Sequence, residues 1–202
     1  LSVLERAGLF TNVANAKIEG DSIILKFTKD EKTGAKITGL LGKRGTLEKS
    51  YFEALKREPL EDEDGFKIFV LHTAISELKP KELQKMDSAA LSLLPKNFDY
   101  YAAGHVHKII TREEKDYKQI VYPGPLFPNN FKEMDDLEGR GGFYIYNDGE
   151  LEYKKINLKK RIIIREELNY FNLSGLIRLV QYVILLTLGV ELIGEVLLFA
   201  RL

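Results

Sequence analysis

The sequence predicts an α/β fold, and three observations predict it. Two short apolar runs, 66–71 and 100–103, are rich in β-branched and aromatic residues, as buried strands are. Between them Leu83, Met86, Ala90 and Leu94 fall at helical intervals, so the segment reads as strand, helix, strand. After residue 107 the pattern turns to alternating strands joined by turn residues, which adds an antiparallel part.

Composition sets outer limits. With 202 residues, 45% hydrophobic and 30% charged, the chain reads as globular and not disordered. Thirty basic residues balance thirty acidic ones, so contact with nucleic acid has to rest on local patches. The absence of cysteine excludes disulfides and thiolate metal sites and fits a cytoplasmic setting.

Taken in order, Leu1, Leu4 and Leu9-Phe10 form the apolar face of a helix closed near Gly8. No charged leader precedes it, and a helix under way at Leu1 implies that the true amino terminus lies further upstream. Residues 23–27 and 36–41 read as strands. The basic loop Gly42-Lys43-Arg44-Gly45 lacks the spacing of a phosphate-binding loop. A helix is expected over 47–57, with Thr46 as its N-cap and Leu47, Tyr51 and Leu55 on one side. Pro59 and the run Glu61-Asp62-Glu63-Asp64 break it, and the four carboxylates read as a solvated loop.

The strand at 66–71 ends on His72. One or two short helices follow from Pro80 and stop at Pro95. The strand at Tyr100 then lies parallel to the first and sets His72 beside His105. Residues 108–112 and 119–122 form a hairpin, Tyr122-Pro123-Gly124-Pro125 a rigid turn, and Asn147-Asp148-Gly149 the turn of a second hairpin. From Arg161 onward there is no Lys, Asp or Pro, and leucine dominates. The most apolar part, 179–190, is shorter than the roughly twenty residues a membrane span needs. It reads as a core, partner-binding or interfacial helix, or as an end not native to the domain. The chain divides into a unit over 1–157 and a remainder over 158–202.

The chemistry concentrates in the histidines. The chain has three, His72, His105 and His107, each at or just past a strand end, where open sheets build binding crevices. Neutral imidazole binds Mn, Fe, Ni, Co and Zn, so three that converge suit a transition metal. On a regular strand His105 and His107 face one side; at a strand end a turn divides them between two ions. The alternative is that each caps a strand by hydrogen-bonding backbone.

Val70-Leu71-His72, Asp99 to His107 with Gly104-His105-Val106-His107 at its end, and Val121-Tyr122-Pro123-Gly124 resemble the later motifs of calcineurin-like metallophosphoesterases. More narrowly, the Tyr-Pro-Gly turn followed by Gly142-Phe143-Tyr144-Ile145 and a hairpin resembles the double-strand-break repair nucleases of the meiotic-recombination-eleven type, which work with an SMC-like ABC ATPase. The likeness covers about residues 1–160. It implies a metallophosphoesterase β-sandwich flanked by helices, here without its amino-terminal strands, and a partial β-rich capping region. It further implies two divalent metal ions, manganese above all, with His72 and His105 on one and His107 on the other. By the same resemblance Tyr122 and Gly124 would line the substrate side, DNA would be the substrate, and the intact protein would be a homodimer.

The chain departs from that pattern in two places. Pro125 stands where the family has Ser, which removes a hydroxyl and a backbone donor. There is also no Asp-x-His motif, bridging Asp or Gly-Asn-His motif, so no catalytic residue lies in this chain and the general-acid histidine is expected upstream of Leu1. The chain alone is then expected to be inactive, and loss of the first strands leaves an open sheet edge and an exposed apolar face. Lys154-Lys155 and Lys159-Lys160-Arg161 are either DNA contacts or the solvated face of a strand. Two other readings are a metallophosphoesterase for a small nucleotide or phospholipid, and a fragment that binds without catalysis.

Overall fold

The computed structural model describes residues 2–42, 47–137, 141–147 and 149–156, and the strands 162–166 and 196–200. Helix α1 (Ser2–Arg6) comes first and ends at Gly8, whose φ of +69° suits a residue without Cβ. Strands β1 (Ala16–Glu19) and β2 (Ser22–Leu25) pair antiparallel. Strands β3 (Thr28–Lys29) and β4 (Lys36–Gly39) follow, then helices α2 (Leu47–Glu53) and α3 (Glu58–Glu61) and strand β5 (Lys67–Leu71). The two-residue strands β6 (Ala74–Ile75) and β7 (Ser88–Ala89) pair parallel before β8 (Tyr100–Ala103). The hairpin β9 (Ile109–Glu114) and β10 (Tyr117–Pro123), helix α4 (Phe131–Asp136), and the hairpin β11 (Gly142–Asn147) and β12 (Glu150–Lys155) come next. Finally β13 (Ile162–Glu166) lies parallel to β14 (Val196–Ala200).

The fold is mixed α/β, mostly strand, with few helices. One sheet of six strands in the order β3-β4-β5-β8-β10-β9 organises it. Its centre is parallel, β4 to β5 to β8 to β10, while β3 and β9 close the edges antiparallel. The expected strand-connection-strand unit is therefore present, and β5 and β8 are neighbours whose ends leave the sheet on the same side.

The connection between them is not helical as expected. Residues 76–94 form three short 3-10 turns, because side chains satisfy the backbone before a helix can. The Ser76 hydroxyl donates to the Ala89 carbonyl (3.1 Å), Glu77 accepts from the Leu91 N–H (2.9 Å), and the Lys79 ammonium donates to the carbonyls of Gln84 and Met86 (3.0 and 2.8 Å). The helix expected over 47–57 likewise stops at Glu53. Ile23 N–H donates to the Ala54 carbonyl (2.8 Å) and Lys56 N–H to the Ile23 carbonyl (2.9 Å), so the backbone at 54–56 pairs with β2 instead. Pro59 then opens α3, where its missing N–H costs nothing. The acidic run is a solvated loop only in part: Glu61 is the half-buried last residue of α3 and accepts from the Lys96 N–H (2.8 Å), Glu63 pairs with Lys36, and Asp62 and Asp64 are exposed.

The core lies on one face of the sheet. Phe69 and Leu71 of β5, Tyr101 and Ala103 of β8, and Ile120 and Tyr122 of β10 are buried there with Phe52, Leu60 and Leu94. Phe98 touches Phe27, Phe69 and Tyr101 at ring-centroid distances of 5.9, 5.4 and 5.8 Å, within the aromatic packing range. Lys67 is buried in this layer. Its ammonium donates to the last carbonyls of α3, Leu60 and Glu61 (2.9 and 3.0 Å), and sits 5.1 Å over the Phe98 ring. Burial pulls its pKa below that of an ordinary lysine, against the attraction of Asp99.

The opposite face is only half covered. Ile68, Val70, Tyr100 and Ala102 are partly exposed there, whereas parallel strands ordinarily bury both faces. Tyr146 of β11 covers part of it, against Phe66 (5.3 Å) and Tyr100 (5.4 Å). Leu41, at the end of this face, is 61% exposed. The basic loop 43–46 with the Thr46 cap, the turn residue Asp148, the cluster Lys159-Lys160-Arg161 and the apolar stretch 179–190 lie outside the described residues.

Candidate metal centre

His72 follows β5 directly, and His105 and His107 lie in the loop that leaves β8. Because β5 and β8 are parallel neighbours in register Leu71 to Ala103, their exits coincide and the rings of His72 and His105 meet edge to face, 5.4 Å between centroids. His72 is exposed and fits a slot without side chains. A Cβ on Gly42 would lie 3.0 Å from its Cδ2, and one on Gly104 only 2.7 Å from its Nδ1. His105 has φ +81°, a left-handed backbone that is uncommon outside glycine and clusters at functional sites. Between the two motif histidines Val106 is 4% exposed and anchors the loop in the core.

The loop divides the pair. His105 turns to His72, whereas His107 turns to α4, where its Nδ1 lies 2.8 Å from Oε1 of Glu133. Glu133 was not among the residues expected here. Its signal in the sequence is Asn130 three residues ahead, the spacing of a helix cap, and it names no partner. Burial raises the pKa of Glu133, but hydrogen bonds from His107, the Asn129 N–H and Asn130 outweigh that and hold the carboxyl below its ordinary value.

Three imidazoles suit a transition metal, and a histidine whose second nitrogen is tied to a carboxylate is the usual form of a metal-ligating one. The donors fit part of a coordination sphere. Among the described residues no three His, Asp or Glu side chains gather where they would hold an ion. Beside His72 a cavity of about 350 Å³ opens on the half-covered face, walled by Leu40, Val70, Ala102, Val121 and Pro123. A larger one of about 440 Å³, between β9 and the second hairpin, lies away from the histidines.

The two expected lining residues differ. Gly124 takes φ +72° in the turn after β10, with Ile109 against it. Tyr122 has no exposed surface. Its hydroxyl donates to the Thr73 carbonyl (2.8 Å) and accepts from the Ile75 N–H (3.1 Å). A side chain so placed supports the loop after His72 from within the core. Tyr122→Phe takes the hydroxyl away from both of these buried backbone groups. It is expected to cost roughly 1–3 kcal/mol by denaturant unfolding. Lys154 pairs with Glu152 along β12.

Over 170 residues the chain is 30% identical to the DNA double-strand break repair protein Mre11 of Methanopyrus kandleri. The match takes in 79% of this chain and 36% of the relative, so the chain spans about a third of that relative's length. No family model matches. The likeness supports an Mre11-like nuclease family.

Proposed function

We propose that this chain is the histidine-bearing part of a metal-dependent nuclease that hydrolyses DNA phosphodiesters in double-strand break repair. The observation that carries the reading is the meeting of His72 and His105 across adjacent parallel strands, with His107 set apart on Glu133. His72 and His105 take one divalent ion and His107 the second, manganese being the metal the resemblance implies. When bound, such ions supply charge withdrawal from the phosphate oxygens and an activated water. The chain's own groups orient these ligands: Gly42 and Gly104 leave room for the His72 ring, and the Tyr122 hydroxyl holds the loop behind it. Gly124 lines the substrate side with Tyr122 packed behind it as a support, and Pro125 there offers no donor. Three neutral imidazoles do not offset two dications. Carboxylates and the general-acid histidine therefore come from elsewhere in the intact protein, and this chain alone is inactive.

The partners in this reading are DNA, an SMC-like ABC ATPase and a second copy of the intact protein, in the cytoplasm. Among the described residues no helix is long and apolar enough to cross a membrane. The test is a protein that also carries the Asp-x-His and Gly-Asn-His motifs, assayed with manganese on linear duplex DNA and on small phosphodiesters. DNA cleavage that falls by at least about 10- to 100-fold in His107→Ala is expected, the loss that removal of a ligand's supporting partner alone causes. Turnover of the small esters with DNA left intact overturns the assignment of substrate.

A further inference from the structure

We propose that Glu133 is the positioning residue for His107: it fixes the imidazole as its Nδ1–H tautomer and leaves Nε2 as the nitrogen that carries the lone pair. What Nε2 then does rests on the reading above; the positioning itself does not.

The Glu133 carboxylate is held before it meets the histidine. Oε2 accepts from the Asn129 N–H (2.8 Å), Oε1 accepts from the Asn130 amide (2.7 Å), and the Glu133 N–H donates to Oδ1 of Asn130 (3.0 Å), which caps α4. The side chain of Glu133 is 13% exposed and that of His107 49%. The carboxylate is therefore the fixed member of the pair and the imidazole the one that is ordered. An ionised carboxylate only accepts, and a neutral imidazole has one donor and one acceptor nitrogen. Nδ1 must then carry the proton, which is the reverse of the form histidine favours in water.

A second tie acts beside the first. Lys108, the next residue of the loop, pairs with Asp136. Glu133 and Asp136 are three apart and share one side of α4, so consecutive loop residues are pinned to one helical surface. Ion pairs this exposed contribute little stability, which makes orientation the effect to measure.

The experiment is a long-range nitrogen–proton correlation spectrum of the metal-free chain, labelled with ¹⁵N-histidine, at about pH 8.5, well above the ordinary imidazole pKa of about 6.5. The expected result is Nδ1–H at His107 in the unsubstituted chain and in Asp136→Asn, and loss of that signature towards Nε2–H in Glu133→Ala. Nε2–H in the unsubstituted chain overturns the proposal, and so does an unchanged Nδ1–H signature in Glu133→Ala. Loss of it in Asp136→Asn as well overturns it too, since loosening α4 would then suffice. If Glu133→Ala does not fold, the tautomer of the unsubstituted chain decides alone. No metal or DNA enters the measurement, so its failure leaves the nuclease reading standing, and the failure of that reading leaves the tautomer in place.

Discussion

A Gly39→Ala protein is expected to lose roughly 3 kcal/mol of stability, the upper end of what a forced methyl group costs in a packed interior. Gly39 ends β4 opposite Val70 of β5, and a Cβ there would lie 2.2 Å from the Val70 carbonyl oxygen and 2.8 Å from the Val70 Cβ. The clashing oxygen is backbone and already accepts the Leu40 N–H at 3.0 Å. Nothing at that point can rotate away, so the two strands must part at the end of the sheet nearest Gly42 and His72. For a chain of this length the fall in melting temperature is roughly 6–12 °C. Thermal unfolding followed by circular dichroism reads it directly. A melting temperature unchanged within error would mean that β4 and β5 are not so closely apposed.

Gly104→Ala is expected to do the opposite, keeping the fold and losing the site. The added methyl would meet Nδ1 of His72 at 2.7 Å, and the atom it meets belongs to an exposed side chain, which shifts at less cost than backbone. The cost in stability is therefore below about 1 kcal/mol, as for most surface changes. The displaced ring no longer meets His105. Metal affinity, measured in a protein that also carries the carboxylate motifs, is expected to fall by about 10- to 100-fold, the usual effect of disturbing a ligand's orientation. A normal melting temperature with normal metal affinity would show that His72 is not a ligand from its present position.

The arrangement of the histidines was legible because it follows from strand ends alone. Two apolar runs joined by a short connection give parallel neighbours, and residues just past their ends must come together. That loop 104–107 splits its two histidines was one of two outcomes the spacing left open, and Val106, turned into the core between them, settles it. What was not legible lies where a local pattern met a distant partner. Residues 54–56 carry a helical pattern, but the open edge of β2 claims their backbone. The segment 76–94 has helical spacing, yet its Ser, Glu and Lys side chains take up the backbone groups first. Tyr122 read as lining because its turn belongs to the motif. The register shift between Tyr117 and Ile120, with Gln119 at φ +35°, breaks the alternation, and Ile120, Val121 and Tyr122 are all buried. Glu133 stands 26 residues from His107, and its own neighbourhood announces only a helix cap.

In the proposed reading this chain supplies three imidazoles to a two-metal site and no other ligand. Titration of manganese, followed by electron paramagnetic resonance, tests it most directly on this chain and on a protein that also carries Asp-x-His and Gly-Asn-His. The expected result is two ions bound per longer chain, with loss of one in His72→Ala, and no saturable binding by the 202-residue chain. Stoichiometric, saturable binding by the 202-residue chain alone would contradict it, since carboxylates read here as solvated or structural would then have to complete the site.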